Sequence, residues 1–226
     1  MPGSEGEPDP ATPPYNGGML PRLACLLTLC LPLAAQAVPT PVPAPAAAPA
    51  PLPAKPRVKL TTNYGVIVVE LEPEAAPKTC ANFLAYVKSG HFKGTIFHRV
   101  IEGFMIQGGG MTEDLTEKPA QPPIANEAGQ AFKAGLKNVK GTLAMARTED
   151  PNSAAAQFYI NTADNPSLDW KGEGPQNVGY CVFGRVVEGQ EIADRIAKVK
   201  VEWQKGMSGV PAYPVRIRNA ELLTQP

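Results

Sequence analysis

His91 and His98 are the only histidines in the chain, so a proton-transfer or metal site would have to be built on them. No Cys/His cluster has the spacing of a zinc site, which leaves transition-metal chemistry unsupported. Ser153 and Ser167 lack evident His and Asp partners and no Gly-x-Ser-x-Gly occurs, which argues against a serine hydrolase. Gly108-Gly109-Gly110 follows a predicted strand, yet no Gly-Lys-Ser/Thr follows it. The triplet is therefore read as a tight turn using unusual backbone angles, in preference to a phosphate cradle. Hydride, phosphoryl and metal-assisted reactions all lack their parts, and no cofactor is expected. What remains is the run Phe97-His98-Arg99-Val100-Ile101-Glu102-Gly103-Phe104-Met105-Ile106-Gln107-Gly108-Gly109. Its fixed cation among apolar side chains suits electrostatic stabilisation of a transition state, with no covalent step.

These residues need elements to hold them. VKLTT at 58–62 and VIVVEL at 66–71 are β-rich runs separated by Asn63-Tyr64-Gly65, a hairpin signal. After Pro77, Cys80, Phe83, Leu84 and Val87 follow i, i+3, i+4, i+7, and Gly90 is placed to end the pattern. The spacing predicts an amphipathic helix over 77–89. Further strands are predicted at 95–100, 104–107, 142–146, 157–160 and 181–187, with a second helix at 189–198 whose Ile192, Ala193 and Ile196 face inward. A final half-buried strand covers 214–222, where Val215 and Ile217 alternate with Arg216 and Arg218. There is no regular strand–helix alternation, so a parallel doubly wound sheet is not expected. Many short strands with two helices predict a mainly β fold, a closed antiparallel barrel with helices over its ends.

The 226 residues carry 21 Lys plus Arg and 21 Asp plus Glu, a balance that excludes a strongly basic nucleic-acid binder and an acidic disordered tail. Fifteen of the 26 prolines fall in residues 1–56, which separates a non-globular front from one domain at 57–226. Leu23–Leu33 reads LACLLTLCLPL, with Arg22 before it and Ala35-Gln36-Ala37 after it, the pattern of a cleaved secretory signal peptide over 1–37. A start at Met19 would remove the acidic Glu5, Glu7 and Asp9 and give a positive leading region. The apolar run is short for a membrane crossing, so an uncleaved anchor is the rival reading and no stable span is expected. Residues 38–56 contain eight Pro and six Ala, a semi-rigid polyproline II tether, with a proline-rich ligand as the alternative. Removal of 1–37 leaves Cys80 and Cys181, expected as two separate buried thiols.

The blocks Phe97–Gly109, Gly141-Thr142-Leu143-Ala144-Met145-Ala146-Arg147, Gln157-Phe158-Tyr159-Ile160 and Val182-Phe183-Gly184-Arg185-Val186 together resemble the cyclophilins. These are peptidyl-prolyl isomerases that fold as an eight-stranded antiparallel barrel capped by two α-helices. The likeness spans residues 57–222. The short link from the first helix to Phe97, the Met-Ala-Arg-Thr stretch and Tyr180 look most like the bacterial periplasmic branch, which agrees with export.

The resemblance implies roles. An X-Pro bond isomerises over ~18–20 kcal/mol because rotation breaks amide resonance. Arg99 matches the catalytic arginine, whose guanidinium can hydrogen-bond the prolyl nitrogen as it regains its lone pair. Phe104, Met105, Tyr159 and Leu168 would line the proline slot, with Ala146 on the floor of the adjoining groove. Gln107 and the backbone near Ala146 and Arg147 would hold the substrate's peptide groups. Tyr180 stands where many members carry His, and Arg147 where many carry Asn, adding charge beside the groove. Ser167 replaces a Trp that helps eukaryotic members hold cyclosporin. Phe158 is expected in the core, and His98 as a structural hydrogen-bonding residue with no proton to transfer.

The expected partners are proline-containing peptides and unfolded or newly exported proteins, with no nucleic acid, and the expected state is a monomer. A proline-recognising module that acts without turnover is the competing reading, and Arg99 favours the enzyme. A structural envelope protein held by its Pro/Ala segment is the third.

Overall fold

The computed structural model describes residues 55–174 and 176–224. The signal peptide expected over 1–37 and all but Lys55 and Pro56 of the expected tether lie outside the described residues. Among the described residues, ten strands run as β1 Arg57–Thr62, β2 Val66–Leu71, β3 Thr95–Ile101, β4 Met105–Thr112, β5 Thr142–Met145, β6 Phe158–Asn161, β7 Val182–Glu188, β8 Val201–Gln204, β9 Met207–Pro211 and β10 Ile217–Leu223. The helices are α1 Pro77–Lys88, α2 Ala128–Lys133 and α3 Gln190–Ile196, with a 3-10 turn at Pro166–Leu168.

Eight strands form one antiparallel sheet in the order β10-β1-β2-β7-β5-β6-β4-β3, and β8 pairs with β9 as a separate hairpin. The first and last of these strands in chain order, β1 and β10, are neighbours, with Arg57 opposite Leu223 and Leu60 opposite Ala220. The sheet curls until its edge strands meet at a single bridge, Ile96 to Arg216. Two backbone bonds accompany it, from Gly94 N to the Ile217 carbonyl and from Phe97 N to the Val215 carbonyl, each 2.9 Å. The fully closed barrel expected from the sequence is thus corrected to a curled eight-stranded sheet with a seam that carries no ladder. This also explains why β10 begins at Ile217 although Val215 is buried as expected: residues 215 and 216 turn toward β3.

α1 follows its predicted face, burying Cys80, Phe83, Leu84 and Val87 along with Thr79 and Tyr86. Pro77 sits at its start, where a missing N–H costs nothing. No local side chain caps that end. The buried Glu127 does so from 48 residues away, its carboxylate accepting from Thr79 N and Thr79 Oγ1 at 2.8 Å each and from Lys78 N at 3.1 Å. α3 is shorter than expected, but Ile192, Ala193 and Ile196 do face inward. α2, β8 and β9 were not expected: α2 has six residues and β8 is mostly exposed, so neither leaves an apolar period to read.

The glycine triplet also departs from its expected turn, since Gly108–Gly110 continue β4. Opposite them the register slips, with Ile96 facing Met111 and Phe97 facing Gly108. Gly109 adopts φ +87, and a Cβ there would stand 2.8 Å from the Phe158 ring. The unusual backbone angle is real, but it serves a bulge pressed against the core.

Inside the curl, Phe83, Phe92, Phe97, Phe158 and Phe183 form the aromatic centre of the main core. Phe158 stands edge-on to Phe83 and Phe92, with ring centroids 5.4 Å away in each case. Cys80 and Cys181 are free and buried in the same core, and burial pushes both thiols up to about 12, so they are inert small hydrophobes.

Candidate active site

Strand alternation sorts the residues of β4 to β7 between two faces. Ile106, Leu143, Met145, Phe158, Ile160 and Phe183 join the main core. Their neighbours Met105, Ala144, Tyr159 and Val182 turn the other way and form a second apolar cluster, with Phe104, Ala146, Leu168 and Tyr180 packed on it. This second cluster floors a pocket of about 90 Å³, whose lining is Arg99, Phe104, Met105, Gln107, Ala146, Arg147, Tyr159, Leu168 and Tyr180. Every residue singled out from the sequence for catalysis or substrate binding is brought to this one concavity.

Arg99 comes from β3, directly opposite Gln107 of β4. Its Nη1 donates to Gln107 Oε1 at 3.5 Å, and Gln107 Nε2 donates to Gln157 Oε1 at 2.9 Å. The long first bond leaves the guanidinium largely available to a ligand. Ala146 N is committed to the Gln157 carbonyl at 3.0 Å, so the amide of Ala146 is not a donor for substrate. Tyr180 N donates to the Leu168 carbonyl at 2.9 Å, which ties two walls of the pocket together.

Arg147 brings its charge to the side of the groove, where it is held in place. Its guanidinium lies 4.4 Å over the Tyr180 ring, donates to the Gly179 carbonyl through Nε and Nη2, and reaches the Thr148 carbonyl at 2.8 Å through Nη1. It clamps the Tyr180 segment to the loop after β5.

Beneath the pocket lies a polar network that sequence reasoning missed. Tyr159 Oη donates to Asn138 Oδ1 at 2.7 Å, and Asn138 Nδ2 donates to Asp169 Oδ1 at 3.0 Å. Asn165 Nδ2 donates to Asn161 Oδ1 at 2.7 Å and to the Phe104 carbonyl at 2.9 Å, fixing the Phe104 backbone. The one available signal was Asn161 in the otherwise apolar strand Phe158–Asn161. A buried, partnered amide of this kind locks the side chains above it.

His98 and Tyr159 are both held in their neutral forms near neutral pH. Burial pushes His98 down to about 4, against smaller upward pulls from the Ile96 backbone and the Gln157 side chain. Among the described residues, His98 Nδ1 is buried without a hydrogen-bond partner. Burial, with Tyr180 adding to it, raises the Tyr159 phenol well above its ordinary value and keeps it protonated. The pocket is an apolar slot beside a permanent cation.

The curled antiparallel sheet thus carries on one face an apolar pocket bordered by the Arg99 guanidinium. The sequence model of the cyclophilin type peptidyl-prolyl cis-trans isomerases matches residues 57–222, and the chain belongs to that family. It is 53% identical over 166 residues to a peptidyl-prolyl cis-trans isomerase of Streptomyces antibioticus, covering 74% of this chain and 98% of that protein. It is 46% identical to peptidyl-prolyl cis-trans isomerase A of Dickeya dadantii, covering 74% of this chain and 84% of that protein. Among solved structures, a Cryptosporidium parvum cyclophilin crystallised in the presence of the dipeptide Ala-Pro matches with a TM-score of 0.62 at 30% identity, covering 75% of this chain and 99% of that one.

Proposed function

We propose that this cyclophilin accelerates X-Pro isomerisation by seating the prolyl ring against Phe104, Met105, Tyr159 and Leu168 while Arg99 stabilises the twisted amide. The observation that carries the reading is the convergence of Arg99 and these four side chains on one pocket. In the planar ground state the prolyl nitrogen has no lone pair to offer. At the twisted transition state it has one, so a guanidinium hydrogen bond there favours the transition state over the substrate. Gln107 and the Arg147–Tyr180 clamp hold one side of the peptide so that the other side rotates. The neutral His98 and Tyr159 fit a rotation in which no proton moves. The purified protein should speed cis–trans exchange in an Ala-Pro peptide measured by NMR, and an exchange rate unchanged at saturating protein would overturn the reading.

Exported and newly folding chains are the proposed substrates, with the periplasm as the compartment. The support is the Leu23–Leu33 run, its flanking Arg22 and the small-residue site at Ala35–Ala37. Among the described residues no helix is long and apolar enough to cross a membrane. Mass spectrometry of the envelope protein should find an N-terminus near Val38, and a mature product retaining Leu23–Leu33 would reverse this assignment.

Drug sensitivity should separate from activity. Ser167 is exposed on the 3-10 turn beside Leu168. The nearby Trp170 cannot replace a missing aromatic there, because its ring packs 6.0 Å from Phe132 and under Lys133 Nζ at 5.0 Å. Loss of an aromatic contact and its hydrogen bond should weaken cyclosporin by about one to two decades, ~1–3 kcal/mol. Titration in the peptide assay should show weak inhibition of the unmodified protein and tighter inhibition of Ser167→Trp at similar kcat/KM. Nanomolar inhibition of the unmodified protein would contradict this placement of Ser167.

A further inference from the structure

A second, wider concavity of about 380 Å³ shares Arg99 and Gln107 with the prolyl pocket. Met111 of β4 lines it, together with Trp203, Met207 and Ser208 of the β8–β9 hairpin. The hairpin is held firmly. It turns through Lys205 and Gly206, at φ +46 and +81, the two left-handed residues of a type I′ turn. Lys205 Nζ donates to the Asp114 carbonyl at 2.6 Å, pinning the tip. Along β9, a Cβ at Gly209 would stand 2.9 Å from the Val100 carbonyl oxygen, so glycine lets this strand lie against the β3 segment that carries Arg99.

Trp203 occupies an unusual place on this hairpin. Glu202 pairs with Val210 and Gln204 with Met207, so the register slips at Trp203. The extra residue lies on β9, opposite Trp203, and the indole is 71% exposed. A single exposed apolar residue is ordinary on a protein surface. An indole set at a register slip, on a pinned hairpin, over a concavity continuous with a peptide pocket is a different arrangement. Trp is also the side chain that most often anchors binding. The two flanking methionines offer deformable thioether surface that packs well on an aromatic ring.

We propose that this concavity is a second peptide subsite that takes an aromatic side chain of the bound polypeptide, within one to three residues of the seated proline. The proposal deepens the prolyl-pocket reading and rests on it. An extended chain advances about 3.3 Å per residue, so a ring at that separation spans the shared Arg99–Gln107 boundary. The protein then selects prolines that have an aromatic neighbour, a sequence feature exposed in unfolded chains and hidden in folded cores.

The test uses proline peptides of equal length with Phe or Ala scanned through the three positions on each side of the proline. Calorimetric binding to the unmodified protein should favour Phe over Ala by about fivefold at one of these positions. In Trp203→Ala the ratio should fall to about one, and Trp203→Phe should restore most of it. NMR exchange measured on the same samples should place the preference in KM and not in kcat. An equal ratio in Trp203→Ala, or no Phe preference at any position, would overturn the subsite. If the all-Ala peptide binds without accelerated exchange while the Trp203-dependent preference persists, the subsite stands and the isomerase reading fails.

Discussion

Arg99→Ala should lower kcat/KM for an X-Pro peptide by about 10²–10³, the loss expected when ~2–4 kcal/mol of charged hydrogen bonding made only in the transition state disappears. Arg99 is half-buried on β3 and bonds to Gln107 at 3.5 Å, while the core-facing residues of that strand, Phe97 and Val100, are separate from it. The variant should therefore keep its fold and thermal midpoint, and peptide affinity should fall much less than turnover. Arg99→Lys keeps the charge but loses the planar fork of donors, so it should recover activity only in part. A folded Arg99→Ala protein with near-normal kcat/KM would remove Arg99 from the mechanism. A wild-type protein that binds proline peptides without accelerating their exchange would instead favour a recognition module.

Phe158→Ala should cost about 3–5 kcal/mol of stability, the usual range for deleting a fully buried ring whose cavity cannot collapse. Phe158 is wholly buried and touches Phe83, Phe92 and Phe97 with centroids at 5.4, 5.4 and 6.0 Å. It also fills the space that Gly109 leaves open on β4. For a domain of this size each kcal/mol lowers the thermal midpoint by roughly 2–4 °C. Urea unfolding should show a lower midpoint with an unchanged slope. A loss below about 1 kcal/mol, the average for an arbitrary substitution, would mean that the aromatic cluster repacks and is not a rigid centre. Activity should suffer too, because the next residue, Tyr159, enters the pocket from the same short strand.

That adjacency explains how much of the site was legible beforehand. Phe158 and Tyr159 read from the sequence as one for the core and one for the pocket, and strand alternation delivers this division. The helix over 77–88 was legible because its apolar spacing is local. The features that escaped notice depend on residues far apart in sequence. Glu127 caps α1 across 48 residues, and Asn138 meets Tyr159 across 21. The glycine triplet resembled a turn because nothing local reveals that Phe158 lies against it. The β8–β9 hairpin escaped because β8 has no buried residue and hence no period-2 signal. The family resemblance supplied the pocket's membership, since alternation alone does not distinguish a slot-lining Met105 from an ordinary core methionine.

The pairing of β1 with β10 sets Arg57 opposite Leu223, so the first and last strands of the sheet in chain order lie side by side. This pair is the most distant in sequence of all the ladder contacts, and folding must find it by closing nearly the whole domain into a loop. The entropy of that closure is on the order of 5 kcal/mol for a flexible chain of such length. A short peptide joining residue 224 to residue 55 would make this most distant contact a local one and reopen the chain at a surface turn such as Lys205-Gly206. The resulting circular permutant should keep the same sheet while its relative contact order changes, so its folding rate would show how far β1–β10 closure limits assembly.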